Sequence, residues 1–271
     1  MIIDFHTHVF PDKIAQKTID YLAEKGGNTP FSNGTATGLY NKLLQSCVDV
    51  AVSLPVLTKP QQFESVFNFA LEINEKYKNG DKKIISFAGI HPSCDDVKGK
   101  LKRVKEAGLK GVKIHPDYQE TLIDDDGYIE ILKCAKDLDL IVVTHSGIDC
   151  GYRDKEVKCP PVLTRKVIDK VGHERFVLAH FGGNEMVDDV IKYLAGQKVY
   201  FDTALISNFI KKEEFISVLD KHGEDRILFA SDFPWGDFSS DVEIIKSYGL
   251  SVQTEDKIFY KNAERLLCLN D

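Results

Sequence analysis

The sequence predicts a (β/α)8 barrel, and three observations carry that prediction. Eight short apolar, β-branched runs recur along the 271 residues, each separated from the next by enough chain for a helical crossover. The runs are nearly continuous in apolar residues instead of alternating, as expected for parallel strands covered on both faces. Polar residues collect just where those runs end, and in a barrel of this kind the carboxyl ends of the strands form the ligand-binding face.

The runs are Ile2–His8, Val48–Pro55, Ile84–Ile90, Gly111–His115, Leu140–His145, Phe176–His180, Val199–Thr203 and Ile227–Ser231. Helices are predicted over Gln61–Lys78, Gly99–Ala107, Tyr128–Leu138, Pro161–Val171, Glu185–Leu194 and Glu213–His222, with a last one near Asn262–Leu269. A doubly wound open sheet would show a glycine-rich phosphate loop after its first strand. Here His6-Thr7-His8 stands in that place. There is no low-complexity tract, fixed-period repeat or linker, so residues 1–271 are expected to form a single domain. A barrel of about 250 residues accounts for that length.

Composition narrows the function classes. A net charge of −7 argues against a protein that coats nucleic acid or an anionic membrane. The longest apolar runs fall far short of the roughly 20 residues needed to cross a bilayer. The start, Met1-Ile2-Ile3-Asp4, lacks the basic and apolar regions of a signal peptide, so a cytoplasmic protein is expected. The six cysteines include no CxxC pair and are expected to be reduced, with Cys150 and Cys159 sharing one loop. The expected partner is a small molecule, and a homodimer is left open as the assembly.

Histidine placement is the informative feature. Six of the eight histidines (His6, His8, His91, His115, His145 and His180) end or directly follow a predicted strand, and the last strand leads into Asp232. Residues two apart on a strand share a face, so His6 and His8 can reach one ion. With His145 and Asp232 they make a four-residue ligand set suited to Zn²⁺ or another first-row divalent ion, one ion with room for a second. Such an ion lowers the pKa of its bound water toward about 7. Asp232 is then both ligand and proton acceptor, and His180 on the neighbouring strand end is a catalytic candidate. His115 is open between a further ligand, a second-metal ligand and a substrate contact. It shares a strand face with Lys113, which is expected to form an ion pair within the mouth. His91 is divided between a substrate contact and a loop histidine. His173 and His222 precede strands at the opposite rim and are expected to be surface or helix-end residues.

The loop Ser146–Pro161 must overhang the mouth. Its Arg153 is a candidate for holding a substrate carboxylate. Trp235 is expected to line the pocket, with Phe233 there or packed in the rim. The segment 28–38, rich in small polar residues, is expected to form a mobile flap.

The ordered motifs Ile3-Asp4-Phe5-His6-Thr7-His8, Gly111-Val112-Lys113-Ile114-His115-Pro116, Thr144-His145-Ser146-Gly147, Leu178-Ala179-His180-Phe181-Gly182-Gly183, Ser231-Asp232-Phe233-Pro234-Trp235 and Asn262-Ala263-Glu264-Arg265-Leu266-Leu267 resemble the amidohydrolase superfamily over nearly the whole chain. Within it they resemble the amidohydrolase-related branch (amidohydrolase 2), which includes the aminocarboxymuconate-semialdehyde decarboxylase-like proteins. The resemblance implies metal binding by His6, His8, His145 and Asp232, with His180 catalytic. It implies either hydrolysis or non-oxidative decarboxylation of an unsaturated or aromatic acid. In some relatives the lysine at the Lys113 position is carboxylated and bridges two metals. Ala88-Gly89-Ile90-His91-Pro92 is also similar to TatD-type deoxyribonucleases, but those carry glutamate where this chain has Lys113 and His115. A metal-dependent hydrolase of a small carbonyl compound is the leading expectation and a decarboxylase the alternative. A non-catalytic metal-binding barrel is the remote third.

Overall fold

The computed structural model describes residues 1–269. Among them, short parallel strands run as β1 (Ile3–Thr7), β2 (Val50–Ser53), β3 (Lys83–Ser86), β4 (Ala88–Gly89), β5 (Gly111–Ile114), β6 (Ile141–Thr144), β7 (Phe176–Leu178), β8 (Tyr200–Asp202) and β9 (Ile227–Leu228). They pair in sequence order, β1 through β3 and then β4 through β9. β3 and β4 are halves of one barrel strand broken at Phe87, whose N–H still donates to Ser53 O at 2.9 Å. The third apolar run is therefore a single stave with a kink. The ring closes between β9 and β1: Phe5 N–H donates to Phe229 O and Asp232 N–H to His6 O, each at 2.9 Å. Asp4 adds to this seam by accepting from Ser231 Oγ at 2.5 Å and from Ser231 N–H at 3.1 Å. The result is a closed (β/α)8 barrel.

Eleven α-helices surround it among the described residues, with shorter 3-10 and π turns between them: α1 (Asp12–Gly26), α2 (Ala36–Leu44), α3 (Phe63–Tyr77), α4 (Val97–Glu106), α5 (Asp126–Asp137), α6 (Pro161–Val171), α7 (Val187–Asp189), α8 (Lys212–His222), α9 (Phe238–Ser247), α10 (Val252–Asp256) and α11 (Asn262–Leu267). Helix α6 has the predicted limits: Pro161 fills its first position and Gly172 ends it in a left-handed conformation. The predicted helix over 185–194 is instead the single turn α7 followed by a wide π-type turn over Val190–Leu194.

The segment 28–38 is not a free flap. Phe31 N–H donates to Pro234 O and Phe10 N–H to Gly34 O, both at 2.8 Å, and Thr35 caps α2 by accepting from Gly38 N–H. Gly34 has φ +72°, and a Cβ there would stand 2.5 Å from Ile19. Only glycine lets this segment lie so close to α1.

The core has two layers. Val112, Ile114, Val142 and Phe201 face the helices, whereas Phe5, Val52, Val143 and Leu228 pack together as the barrel interior. Ala263, Leu266 and Leu267 of α11 join that inner cluster and close its floor. His173 and His222, expected at the surface or at a helix end, do stand at the ends of α6 and α8 but are buried. Their Nε2 atoms meet the carbonyls of Leu140 at 3.0 Å and Val199 at 3.1 Å, and His222 stacks on Phe201 at 3.9 Å. Each satisfies a carbonyl at the entry to a strand, a requirement that chain position alone does not disclose.

Candidate active site

The carboxyl ends of the strands open onto a cavity of about 560 Å³, lined by His6, His8, His115, His145, His180 and Asp232 among others. The pairing of β1 with β2 shifts register between Asp4 and Thr7. Strict alternation from Ile3 and Phe5, both in the inner cluster, would turn His6 away from the cavity; the irregularity re-aims it inward. His180 and Asp232 both hold left-handed backbone, φ +55° and +65°. Such conformations are costly for non-glycine residues and are kept where surrounding structure enforces them.

Hydrogen bonds set the imidazole tautomers. His8 Nδ1 lies 2.9 Å from Leu54 O, a pure acceptor, so that nitrogen carries the proton. His6 Nδ1 donates likewise to Asp202 Oδ2 at 2.9 Å. Both residues are left with Nε2 lone pairs, which stand 3.1 Å apart, and the His6 one is also met by Lys113 Nζ at 3.1 Å. Asp232 Oδ1 lies 3.3 Å from the first and 3.1 Å from the second. Two lone pairs and a carboxylate oxygen meeting at one point repel unless a cation joins them.

The same reasoning runs through the next pair. His180 Nδ1 donates to Ala204 O at 3.1 Å, so its Nε2 accepts from His145 Nδ1 at 3.0 Å. His145 Nε2 is therefore bare, and it is buried with no hydrogen-bond partner among the described residues. A buried, unpartnered imidazole nitrogen facing a cavity fits a ligand role.

Burial holds His6, His115, His145 and His180 below the ordinary imidazole range, in the neutral form that ligates metals. Burial works against the Asp232 carboxylate, yet positive charge at the His6 and His8 rings, where a cation would stand, brings its pKa down to about 2.

The expected ligands do not gather into one group of four. Donor atoms of His6, His8 and Asp232 lie within 4.8 Å of one another, and those of His115, His145 and Asp149 form a second such group. His145 thus sits beside the first trio, not inside it, and stacks on His115 with ring centroids 4.4 Å apart. His115 offers Nε2 to Asp149 Oδ2 at 3.4 Å.

Lys113 is fully buried and forms no ion pair among the described residues; its Nζ lies 3.1 Å from His6 Nε2. Burial lowers its pKa to about 8. Arg153 does not reach the cavity, because both arms of its guanidinium are engaged by Glu185, with Nη1 at 2.8 Å from Oε2. His91 is buried off the cavity, where Nδ1 accepts from Ser93 N–H at 3.1 Å. Trp235 lines the cavity, whereas Phe233 is buried against Phe238. All six cysteines are free, and Cys159 is buried among Thr144, Ser146 and Thr164.

Asp202, Asp149 and Lys25 escaped the sequence reading. Asp202 orients His6 and also accepts the backbone N–H groups of His180 and Ala204 at 3.0 and 3.1 Å. Its signal was present, since an aspartate directly after Tyr200-Phe201 in a buried strand needs partners.

The comparisons with known proteins agree with this architecture. A 2,6-dihydroxybenzoate decarboxylase from Rhizobium superposes with a TM-score of 0.71 at 16% identity, covering 100% of this chain and 99% of that one. A dihydroxybenzoic acid decarboxylase from a Polaromonas species, solved with manganese and 2-nitroresorcinol, gives 0.70 at 14% identity, covering 100% and 97%. A Pseudomonas putida protein described as a candidate 2-pyrone-4,6-dicarboxylic acid hydrolase gives 0.69 at 15% identity, covering 100% and 98%. At these identities the likeness concerns the fold. No curated protein matches the chain by sequence. The family model described as Amidohydrolase (Amidohydro_2) matches residues 3–269, and the chain therefore belongs to the amidohydrolase family.

Proposed function

We propose that this chain is a divalent-metal-dependent hydrolase of a small carbonyl compound. The observation that carries the reading is the convergence of His6 Nε2, His8 Nε2 and Asp232 Oδ1 within 3.1 to 3.3 Å, with the outer nitrogens of both rings committed elsewhere. His6, His8 and Asp232 hold the ion, and the unpartnered Nε2 of His145 makes it the next ligand. Imidazole and carboxylate donors suit Zn²⁺, Mn²⁺, Fe²⁺ or Co²⁺. Zinc is our first choice; the manganese in the Polaromonas relative makes that metal the second. When bound, the ion supplies Lewis acidity and acidifies water.

The chain's own residues do the rest. Asp232 accepts the proton lost by the attacking water. His180, fixed by its bond to Ala204 O, accepts from His145 Nδ1 through Nε2; it takes a catalytic role once a bound ligand draws His145 away and frees that nitrogen for a water or substrate hydroxyl. Lys113 stands beside His6 as the position a second ion would share after carboxylation. A stoichiometry near two metals per chain supports that role, and one near unity removes it.

Decarboxylation of an unsaturated or aromatic acid is the second reading, favoured by the activities of the Rhizobium and Polaromonas relatives. Turnover of an acid, ester, lactone and amide panel in ¹⁸O-labelled water separates the two. Hydrolysis places one labelled oxygen in the organic product; decarboxylation releases CO₂ and leaves the organic product unlabelled. Metal-loaded protein that turns over nothing in the panel contradicts both readings and leaves a non-catalytic metal-binding barrel.

A further inference from the structure

A substrate cavity in an acidic protein needs a feature that admits one substrate charge over another. Among the described residues, the only lysine or arginine side chains lining the cavity are Lys113 and Lys25. Lys113 is sealed beneath the histidines. Lys25 is at the mouth, in the last turn of α1.

Its ammonium is held in place by aromatic faces. Nζ stands 3.4 Å from the ring centroid of Tyr152 and 5.9 Å from that of Tyr118. A cation over a ring face is attracted by the ring quadrupole yet keeps its hydrogens free for an anion. Of the carboxylates nearby, Asp149 lies 3.4 Å from His115 Nε2 and feels the Lys25 charge without pairing to it, and Glu185 is engaged by Arg153. No ion pair or hydrogen bond to Lys25 exists among the described residues. The loop also makes room for its stem: a Cβ on Gly151 would stand 3.3 and 3.4 Å from Lys25 Cγ and Cδ. Tyr118 in turn stacks on His115 at 3.8 Å, so the same aromatic wall runs from Lys25 toward the histidine cluster.

We propose that Lys25 is the specificity residue of this cavity: it receives a carboxylate of a planar substrate whose ring or double bond lies along Tyr118 and Tyr152. Lys155 also stands 5.1 Å from the Tyr152 ring centroid but does not line this cavity. One cation at the mouth suits a single negative charge, which favours carboxylate over phosphate. The proposal assigns to Lys25 the task that chain position suggested for Arg153. It rests on the reading of this cavity as the substrate site, but its test reads ligand charge and not turnover.

The test is a ligand-observed NMR titration of zinc-loaded protein with benzoate, isophthalate and 2,6-dihydroxybenzoate, each against its uncharged amide. Lys25→Met is expected to weaken the tightest carboxylate by about tenfold or more, the loss of one charge-assisted contact. The matching amide should stay within about twofold, and Lys25→Arg should keep most of the carboxylate affinity. Equal losses for carboxylate and amide would mean that Lys25 only fastens the loop, which overturns the proposal. So would unchanged carboxylate binding in Lys25→Met, or no carboxylate binding by the unaltered protein. Retention of metal in His6→Ala with the charge preference intact would instead fault the metal reading alone.

Discussion

At the scale of single residues, the site is governed by where each imidazole proton goes. His6 and His8 were visible in the sequence as a spaced pair, but what makes them ligands is the acceptor behind each ring, Asp202 Oδ2 for one and Leu54 O for the other. Those acceptors come from strands far away in the chain, so no spacing rule reveals them. Asp202→Asn is expected to lower metal affinity by roughly 10- to 100-fold, because an amide can donate to Nδ1 and force the His6 proton onto Nε2. Competition with a chelator reads that loss, and circular dichroism checks that the barrel survives; unchanged affinity would show that Asp202 serves only the backbone of His180 and Ala204. Lys113 and Arg153 show the converse limit. Both were recognisable as charged residues near the mouth, yet their partners depended on folding: one faces His6 and the other is spent on Glu185. Arg153→Ala therefore removes an exposed ion pair, costing no more than about 1 kcal/mol, and should leave substrate affinity unchanged. A marked rise in KM would return the substrate role to Arg153.

At the scale of elements, the strands were legible because buried parallel strands are uniformly apolar, and their carboxyl ends were marked by histidines. The β1 irregularity was not, since a register shift leaves no trace in composition. Nor were α1 and α2, whose mixed faces look like loop, or the anchoring of 28–38 through backbone bonds to Pro234 and Phe10. The strand entries hold a separate, testable feature. Burial brings the pKa of both His173 and His222 down to about 4 from an ordinary 6.5. The unfolded chain takes up these protons near 6.5 while the fold resists until about 4. Stability therefore falls as the pH drops through that window, by up to about 1.4 kcal/mol per pH unit for each histidine. Urea midpoints at pH 7.5 and pH 5.0 should lie closer together in the double variant His173→Gln/His222→Gln, the remainder coming from the buried site histidines. If the variant keeps the full acid sensitivity, the cause lies with other groups.

At the scale of the whole molecule, the barrel brings together what the chain keeps far apart. His6 and Asp232 are joined across the seam that closes β9 on β1, and Asp4 fixes that seam through Ser231. The order of strands, the closed ring and the family were all readable from motifs spread over nearly the full length. The division of the polar cluster into His6–His8–Asp232 and His115–His145–Asp149 was not, because it depends on ring orientation and on Asp149 from a loop. No helix among the described residues is long and apolar enough to cross a membrane. The central claim is that the first of those groups, with His145 beside it, is a divalent-metal centre. Elemental analysis of purified protein after dialysis tests it most directly, comparing the unaltered chain with His6→Ala and Asp232→Asn. The expected result is at least one Zn, Mn, Fe or Co per chain, lost in both variants while the fold is retained. A metal-free unaltered chain after exposure to these ions, or variants that keep the full metal content, would contradict it.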